Sequence, residues 1–193
     1  KFQLVFLMQK LYNCSENLSR GKTMKILKTE RLFLETIEEN RFDDLADLLA
    51  NENVHRFFPK TLNRDESREY LEKIMKRQKD DGISFWAVVR KEDSKFLGIC
   101  GLLKQTVDDK DEIEVGYRIN DIYWGTGYGT EAAAGCMKYA EEKLKLPSVI
   151  SLILPENRQS VRVAEKNGLK CEKKAMFHGL DHDVYRKYFN DNK

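Results

Sequence analysis

Three glycines occupy five positions in the segment Y-W-G-T-G-Y-G-T-E-A-A-A, residues 123–134, and an alanine-rich stretch follows them. Residues 112–119, E-I-E-V-G-Y-R-I, lie before the glycines and have the alternating, β-branched character of a strand. The order strand, glycine-rich turn and helix brings free backbone N–H groups and the positive end of a helix dipole into one small volume. Because glycine has no Cβ, the backbone there can approach phosphate oxygens closely. The segment therefore predicts an anion site, and a pyrophosphate is the anion we expect.

The spacing of these glycines excludes two common nucleotide-binding loops. The dinucleotide fingerprint G-x-G-x-x-G would need a third glycine at the position of Thr130, after Gly125 and Gly127. The P-loop would need Gly-Lys followed by Ser or Thr, and no such sequence follows the loop. A nucleotide-binding switch domain is therefore disfavoured, and an ordinary glycine turn before a helix is the simplest alternative to an anion site.

The loop resembles the acetyl-coenzyme A loop of the GNAT family of N-acetyltransferases, whose pattern is Gln/Arg-x-x-Gly-x-Gly/Ala. Gly127 and Gly129 occupy the two glycine positions, and Trp124 stands where Gln or Arg is usual. The string W-G-T-G-Y-G-T-E-A is similar to the loop of the branch that acetylates alanine or serine at the N-termini of ribosomal proteins. A second stretch, residues 155–169, resembles the family's Asn-x-x-Ser and Glu-Lys-x-Gly-Phe, with Leu169 in place of Phe.

The resemblance covers about residues 29–189 and implies the acyl-coenzyme A N-acyltransferase fold, a mixed α/β (α+β) domain. In that fold a mostly antiparallel sheet of about seven strands is flanked by helices and splays between its fourth and fifth strands. The patterning of the chain predicts strands at residues 29–37, 85–90, 95–103, 112–119, 148–154, 170–177 and 183–189. It predicts helices around residues 42–49, between a cap at Asn63 and a stop at Gly82, and over residues 130–144 and 158–167.

The composition narrows the class of protein. A chain of 193 residues with 41% hydrophobic residues fits one globular domain with a sizeable core. Its 34 basic and 32 acidic residues nearly cancel, which argues against a dedicated nucleic-acid binder. The four cysteines are widely separated and form no C-x-x-C pair, so we expect single thiols in a reducing cytoplasm and no metal site.

The first 23 residues differ in character from the rest of the chain. An apolar run at residues 2–8 is far too short to span a bilayer, and no small-residue cleavage site follows it. We therefore expect an N-terminal extension at residues 1–23, a single domain at residues 24–193, no membrane association and a cytoplasmic location. The choice between a monomer and a homodimer stays open at this point.

Transfer of an acetyl group from a thioester to an amine requires a base that accepts the amine proton. Our candidate is Glu114, in the strand predicted at residues 112–119. A carboxylate on a central strand is partly desolvated, which raises its pKa toward the working pH. In the alternative interpretation, Glu112 and Glu114 line a solvated edge or pair with Arg118. Alternation gives this strand two faces, one with Glu112, Glu114, Gly116 and Arg118 and the other with Ile113, Val115, Tyr117 and Ile119.

Other residues are weaker candidates for acid–base chemistry. We expect four of them at the surface because they lie in turn-like segments: His55, His178, His182 and Asp183. By resemblance, the acid that protonates the departing thiolate would be a tyrosine in the last helix, but Ala164 stands at that position. Ser160 is the hydroxyl left in the motif, and the resemblance implies that it protonates or contacts the thiol.

The resemblance also implies how acetyl-coenzyme A is held. The main chain of Tyr117 and Ile119 would pair with the pantetheine amides as an added strand does. Asn157 and Ser160 would contact the pantetheine arm, although Asn157 could equally cap the helix predicted from residue 158. The backbone of the glycine loop would surround the pyrophosphate at Trp124, Gly125, Thr126, Gly127, Tyr128, Gly129 and Thr130.

The residues and the resemblance together imply an acetyl-coenzyme A-dependent N-acetyltransferase. It would transfer the acetyl group directly to a primary amine, without a metal or a covalent enzyme intermediate. The likeness to the ribosomal branch implies a protein N-terminal α-amine as the acceptor. Two alternatives remain, a small-amine acetyltransferase that acts on a polyamine or an antibiotic, and a non-catalytic acyl-coenzyme A-binding module.

Overall fold

The computed structural model describes residues 23–189. The expected N-terminal extension lies outside the described residues, except for its last residue. The regular elements, in chain order, are β1 (Lys25–Lys28), β2 (Leu32–Glu35), a 3-10 turn (Glu39–Arg41), α1 (Phe42–Ala50), α2 (Glu52–His55), α3 (Arg64–Asp81), β3 (Phe85–Arg90), β4 (Phe96–Val107), β5 (Lys110–Ile119), a second 3-10 turn (Asp121–Tyr123), α4 (Tyr128–Glu142), β6 (Ser148–Ile153), α5 (Arg158–Lys166), β7 (Lys170–Phe177) and β8 (Leu180–Tyr188). No helix in this range is long and apolar enough to cross a membrane.

The eight strands of the described chain form one sheet in the order β1-β2-β3-β4-β5-β6-β8-β7. Neighbouring strands are antiparallel except for β5 and β6, which are parallel. The prediction of a mixed, mostly antiparallel sheet flanked by helices is confirmed.

The first predicted strand is wrong in its bounds. The alternation predicts one strand over residues 29–37, whereas the structure has a hairpin of β1 and β2, which adds an eighth strand. Thr29 forms the turn between them: its N–H donates to the Leu32 carbonyl at 3.0 Å, and its hydroxyl accepts from the Leu32 N–H at 3.1 Å. The sequence K-I-L-K of β1 escapes prediction because it is short and half charged.

A helix layer covers each face of the sheet. On one face α4 and α5 cover one hydrophobic core, and on the other α1 and α3 cover a second. Gly135 lets α4 approach β1 closely, because a Cβ at this position would lie 2.8 Å from Cγ2 of Thr29. The buried side of α4 consists mainly of small residues: Tyr128, Ala132, Ala133, Cys136, Met137 and Ala140.

Strands β5 and β6 are neighbours over a short distance. Their register contains the parallel pair Glu114–Ile150. One residue further along, the Ser151 hydroxyl donates to the Val115 carbonyl at 2.7 Å, so that a side chain takes the place of a backbone partner. The sheet therefore splays between these strands, as expected, and the gap opens toward the end of β5, where the glycine loop begins.

Candidate active site

Strand β5 carries two differently surrounded sets of side chains, as the alternation predicts. The first set lies in or against the core beneath α4 and α5, and we call it the helix face: Ile113, Val115, Tyr117 and Ile119. The second set points to the side of α1 and α3, and we call it the glutamate face: Glu112, Glu114, Gly116 and Arg118. Phe85 marks this second side, because a Cβ on Gly116 would lie 3.2 Å from its ring.

The glycine loop ends in a helix start that has no side-chain cap. Gly125 and Gly127 have φ angles of 78° and 86°, in the left-handed region that glycine adopts without strain. Gly127 is the N-cap of α4, and the first helical hydrogen bond runs from the Glu131 N–H to the Gly127 carbonyl. The N–H groups at positions 128–130 therefore precede the hydrogen-bonded turns, at the positive end of the helix dipole.

Other helices of the molecule begin differently. The side chain of Asn63 accepts a hydrogen bond from the Glu66 N–H at the start of α3, and the Glu66 carboxylate accepts one from the Asn63 N–H. Asn51 caps α2, and Asn157 caps α5 by accepting from the Ser160 N–H at 3.1 Å. Helix α1 also lacks a side-chain cap, but it continues directly from the 3-10 turn at Glu39–Arg41, and the Phe42 N–H donates to the Glu39 carbonyl. The start of α4 is therefore the one that follows a glycine loop and leaves its first N–H groups for an external anion.

A cluster that the sequence analysis missed holds the loop in place. Glu131, in the first turn of α4, accepts hydrogen bonds from the Thr29 hydroxyl at 2.6 Å and from the Arg31 N–H at 2.7 Å. Its other oxygen pairs with Nε of Arg31 at 2.6 Å, and Nη1 of Arg31 donates to the Thr126 carbonyl at 3.1 Å. Burial raises the pKa of Glu131, but the hydrogen bonds from Thr29 and Arg31 outweigh it and lower the pKa overall. The β1–β2 turn is thus fastened to the loop and to α4.

The parted edge of β5 presents main-chain groups to the gap. The Val115 carbonyl points there and accepts from Ser151. The Ile119 carbonyl accepts from Nε1 of Trp124 at 2.7 Å, so the tryptophan side chain that replaces the usual Gln or Arg closes the end of the strand. Because main-chain groups alternate along a strand, Tyr117 directs its N–H and C=O to the same edge, between these two positions.

Tyr117 and Ser160 meet across the gap. The Tyr117 hydroxyl lies 2.9 Å from both the carbonyl oxygen and Oγ of Ser160. Burial raises the pKa of Tyr117, so that the phenol stays protonated, and the hydrogen bond to Ser160 opposes this. The sequence analysis expects only a main-chain role for Tyr117; its side chain is brought to Ser160 by the packing of α5 on the sheet.

Glu114 lies on the glutamate face, at the point where β5 and β6 begin to part. Its Oε2 accepts from Nε2 of Gln105 at 2.7 Å. Burial raises the pKa of this half-buried carboxyl group, and the Gln105 amide and the Leu152 N–H counteract it in part. Neither alternative for the two glutamates is correct: Glu112 forms an ion pair with Arg186 at 2.7 Å, and no described residue forms an ion pair with Glu114.

The prediction that His55 lies at the surface is wrong. His55 is only 4% exposed and ends α2, packed at a ring distance of 5.1 Å from Phe58. Its Nδ1 donates to the Lys60 carbonyl at 2.9 Å, and its Nε2 accepts from Nη1 of Arg118 at 3.2 Å. Burial lowers the pKa of His55, the Lys60 carbonyl partly offsets this, and the Arg118 charge lowers it further, so the imidazole is neutral.

The other three residues that we expected at the surface differ in their exposure. His178 is exposed, in the turn between β7 and β8. His182 and Asp183 lie on β8 rather than in a turn, and both are half-buried. The His182 charge is close enough to lower the pKa of Glu114 slightly. Within residues 23–189, no group of three His, Cys, Asp or Glu side chains is arranged to hold a metal ion.

The sequence also matches a known family. A family model described as "Acetyltransferase (GNAT) domain" matches residues 31–170. The chain belongs to the GNAT family. This GNAT chain is 32% identical over 148 residues to the uncharacterized protein YkkB of Bacillus subtilis (strain 168), which is 76% of this chain and 86% of YkkB. It is 25% identical over 156 residues to the uncharacterized N-acetyltransferase p20 of Bacillus licheniformis, or 79% of this chain and 85% of p20.

The GNAT fold is also found among solved structures. One of them is RimL, a ribosomal L7/L12 alpha-N-protein acetyltransferase, in complex with coenzyme A. It superposes with a TM-score of 0.70 over 86% of this chain and 98% of that chain, at 13% identity, which shows a shared fold. The family model and the relatives together make this GNAT protein an acetyltransferase.

Proposed function

We propose that this protein uses acetyl-coenzyme A to acetylate the N-terminal α-amine of a protein, by direct transfer and without a metal. One observation carries the proposal: an uncapped helix start and a half-buried carboxyl group lie on the two sides of the parted strand β5. The first suits a pyrophosphate, and the second suits the removal of a proton from an amine.

The start of α4 fits the pyrophosphate of acetyl-coenzyme A. The backbone from Trp124 to Thr130 would hold it, with the N–H groups of Tyr128, Gly129 and Thr130 as donors. A Cβ on Gly129 would make only ordinary contact within the protein, 3.5 Å from Cγ1 of Ile119. Because glycine costs about 0.5–1 kcal/mol in a helix and the fold does not require it at position 129, close approach of a ligand is its best explanation.

The gap beside β5 fits the pantetheine arm. The main-chain groups of Tyr117 and the N–H of Ile119 point into the gap and would pair with the arm as an added strand does. Asn157 would contribute its NH₂ group, because its oxygen already caps α5. The two sequence interpretations of Asn157 are therefore compatible.

Acetyl-coenzyme A would supply the acetyl thioester, and Glu114 would accept the proton of the attacking amine, directly or through a water. A raised pKa suits this role because a base works best when its pKa lies near the working pH. Gln105 would hold the carboxylate in one orientation. Ser160, in contact with the Tyr117 phenol, would hold a proton beside the departing thiol, in place of the tyrosine that Ala164 replaces.

The likeness to RimL supports a protein N-terminus as the acceptor, and an acceptor of that kind would place this enzyme in the cytoplasm. The acceptor would approach Glu114 from the side of β5 away from the cofactor helices. We propose one domain over residues 24–193 for this reaction, and the reaction itself does not depend on whether the protein is a monomer or a homodimer.

A thermal-shift and thiol-release assay tests this proposal. Acetyl-coenzyme A should raise the melting temperature, since a ligand at 100 times its dissociation constant stabilises the folded state by about 2.7 kcal/mol. Thiol release should then depend on peptides with an unblocked N-terminus, and N-formylated copies of the same peptides serve as the control. Thiol release with spermidine or an aminoglycoside but not with peptides would show that the acceptor is a small amine and not a protein N-terminus. Stabilisation without release from any amine would favour a binding module.

A further inference from the structure

We propose that Arg118 binds a carboxylate of the acceptor, so that the preferred acceptor is a peptide N-terminus with an acidic residue at its second or third position. This inference rests on the proposed function and specifies its substrate. It starts from the charge of Arg118, its surroundings and its distance from Glu114.

Arg118 is a half-buried cation without a carboxylate partner in the described chain. The other arginines of residues 23–189 that make no ion pair are exposed: Arg56, Arg77, Arg158 and Arg162. Removing a guanidinium from water is costly unless it is paired, so a half-buried cation without an anion is unusual. An anionic ligand would complete the site.

The guanidinium is held in position by neutral groups. It lies 3.9 Å from the centroid of the Phe58 ring and 5.3 Å from that of Tyr70. One of its nitrogens donates to the neutral imidazole of His55 at 3.2 Å. Arginine has five N–H donors in a planar fork that matches a carboxylate, so donors remain for a ligand. The site is therefore pre-organised without being filled.

The groups that hold the Arg118 guanidinium are themselves fixed by burial and hydrogen bonds. His55 is fastened by the Lys60 carbonyl and is 4% exposed. Phe58, whose ring lies over the guanidinium, is 40% exposed, and Arg118 itself is half-buried. This end of the glutamate face therefore reaches the surface of the protein.

The spacing on β5 sets the length of the acceptor. Arg118 lies four residues after Glu114 on the same face, which separates their Cα atoms by about 13 Å. Gly116 lies between them, and the ring of Phe85 packs over it, 3.2 Å from the position of an added Cβ, so the peptide would pass over the outer side of this ring. An extended peptide advances about 3.3–3.6 Å per residue, so an N-terminus at Glu114 brings its second or third side chain within reach of the long Arg118 side chain.

The opposite direction along β5 offers no such site. Glu112 lies there, and the nearby cation, Arg186, is already paired with Glu112 and Glu172 at 2.7 Å each. An acidic acceptor is therefore attracted toward Arg118 and repelled from the other end. This asymmetry orients the peptide as well as selecting it.

Paired peptides test the inference. The full-length protein is assayed with a peptide that begins Ser-Glu-Glu and a matched peptide that begins Ser-Gln-Gln, with free glutamate as a third acceptor. We expect kcat/KM to be about tenfold higher for the acidic peptide, the effect of one charge-assisted hydrogen bond, with the difference mainly in KM. The Arg118→Gln variant should lower kcat/KM more for the acidic peptide than for the neutral one, so that the ratio of the two values falls to about one.

Two further variants distinguish recognition from a structural role. Arg118→Lys keeps the charge but loses the fork, so it should retain part of the preference. Arg56→Gln removes an exposed, unpaired arginine from the same loop region and should keep all of it. Acetyl-coenzyme A should raise the melting temperature of every variant equally.

The outcomes separate this inference from the proposed function. If the unaltered protein acetylated the two peptides at equal rates, Arg118 would not recognise an acidic side chain, but the acceptor would still be a protein N-terminus. Equal loss on both peptides in Arg118→Gln would also overturn it. A preference for free glutamate over both peptides would overturn the assignment to a peptide. Failure of both peptides in spite of acetyl-coenzyme A binding would overturn the proposed acceptor class itself.

Discussion

In the function that we propose, the two faces of β5 would recognise ligands with different parts of the chain. On the helix face, the groups that we assign to acetyl-coenzyme A are mostly main-chain N–H and C=O groups, from the parted strand and from the start of α4. On the glutamate face, the groups that we assign to the acceptor are side chains, above all Glu114 and Arg118. Main-chain sites can be shared by a whole family, because many sequences present the same backbone, whereas side-chain sites can change from one member to another by single substitutions.

The sharpest test of this comparison is the removal of the charge of Glu114. Glu114→Gln should lower kcat by about a hundredfold or more, because a positioned general base contributes 10²–10⁴. Binding of acetyl-coenzyme A should not change, since the groups that we assign to that ligand lie on the helix face. Steady-state kinetics and calorimetric titration measure the two quantities separately.

Glu112→Gln is the matched control for this variant. It removes a carboxylate from the same face, but one that pairs with Arg186, so it should lower the melting temperature and leave kcat near its original value. Turnover by Glu114→Gln at the original rate would show that the base is another group.

The raised pKa of Glu114 also predicts the pH dependence. The rate should rise with pH as this carboxyl group loses its proton and then level off. Stability should change in the opposite sense. Because the folded state holds this proton more tightly than the unfolded chain, its contribution to stability is lost as the pH rises through the raised pKa. Glu114→Gln should therefore raise the melting temperature relative to the unaltered protein at pH 8 but not at pH 4.

A second, smaller effect is expected from the main chain on the helix face. Gly127→Ala places a Cβ on a residue with φ of 86°, which should weaken acetyl-coenzyme A binding about tenfold by distorting the loop. Gly179→Ala is the matched control, because Gly179 has φ of 79° and an added Cβ would meet nothing within 4 Å. Both variants should lose about 1–2 kcal/mol of unfolding free energy. Equal affinities of the two variants for acetyl-coenzyme A would contradict the loop assignment.

The smallest effect on kcat is expected from the two side-chain hydroxyls on the helix face, those of Ser160 and Tyr117. Ser160→Ala should lower kcat by about tenfold at most, because a thiolate needs little help to leave near neutral pH. Tyr117→Phe removes the same contact from the other side. If the two hydroxyls act as one unit, the double variant should be no slower than the slower single variant. A loss as large as that of Glu114→Gln would instead make thiol protonation a main part of catalysis.

Local signals in the sequence predict single elements better than the contacts between elements that are distant in the chain. The glycine spacing indicates the loop, and Asn63 with Glu66 indicates the capping box of α3, both of which the structure contains. The errors arise where contacts are distant in the chain. His55 reads as a surface residue because its partner Arg118 is 63 residues away, and the fastening of Arg31 to Glu131 joins residues 100 positions apart.

The sequence by itself determined which residues are able to act: alternation put Glu114 and Arg118 on one face of a strand, and glycine spacing defined the loop. These features depend on backbone geometry over a few neighbouring residues, which a single segment specifies. Only the tertiary structure decided that Arg186 pairs with Glu112 and that Arg118 is left without an anion. Such outcomes depend on which distant side chains share a low-dielectric environment, and local patterns carry no record of that.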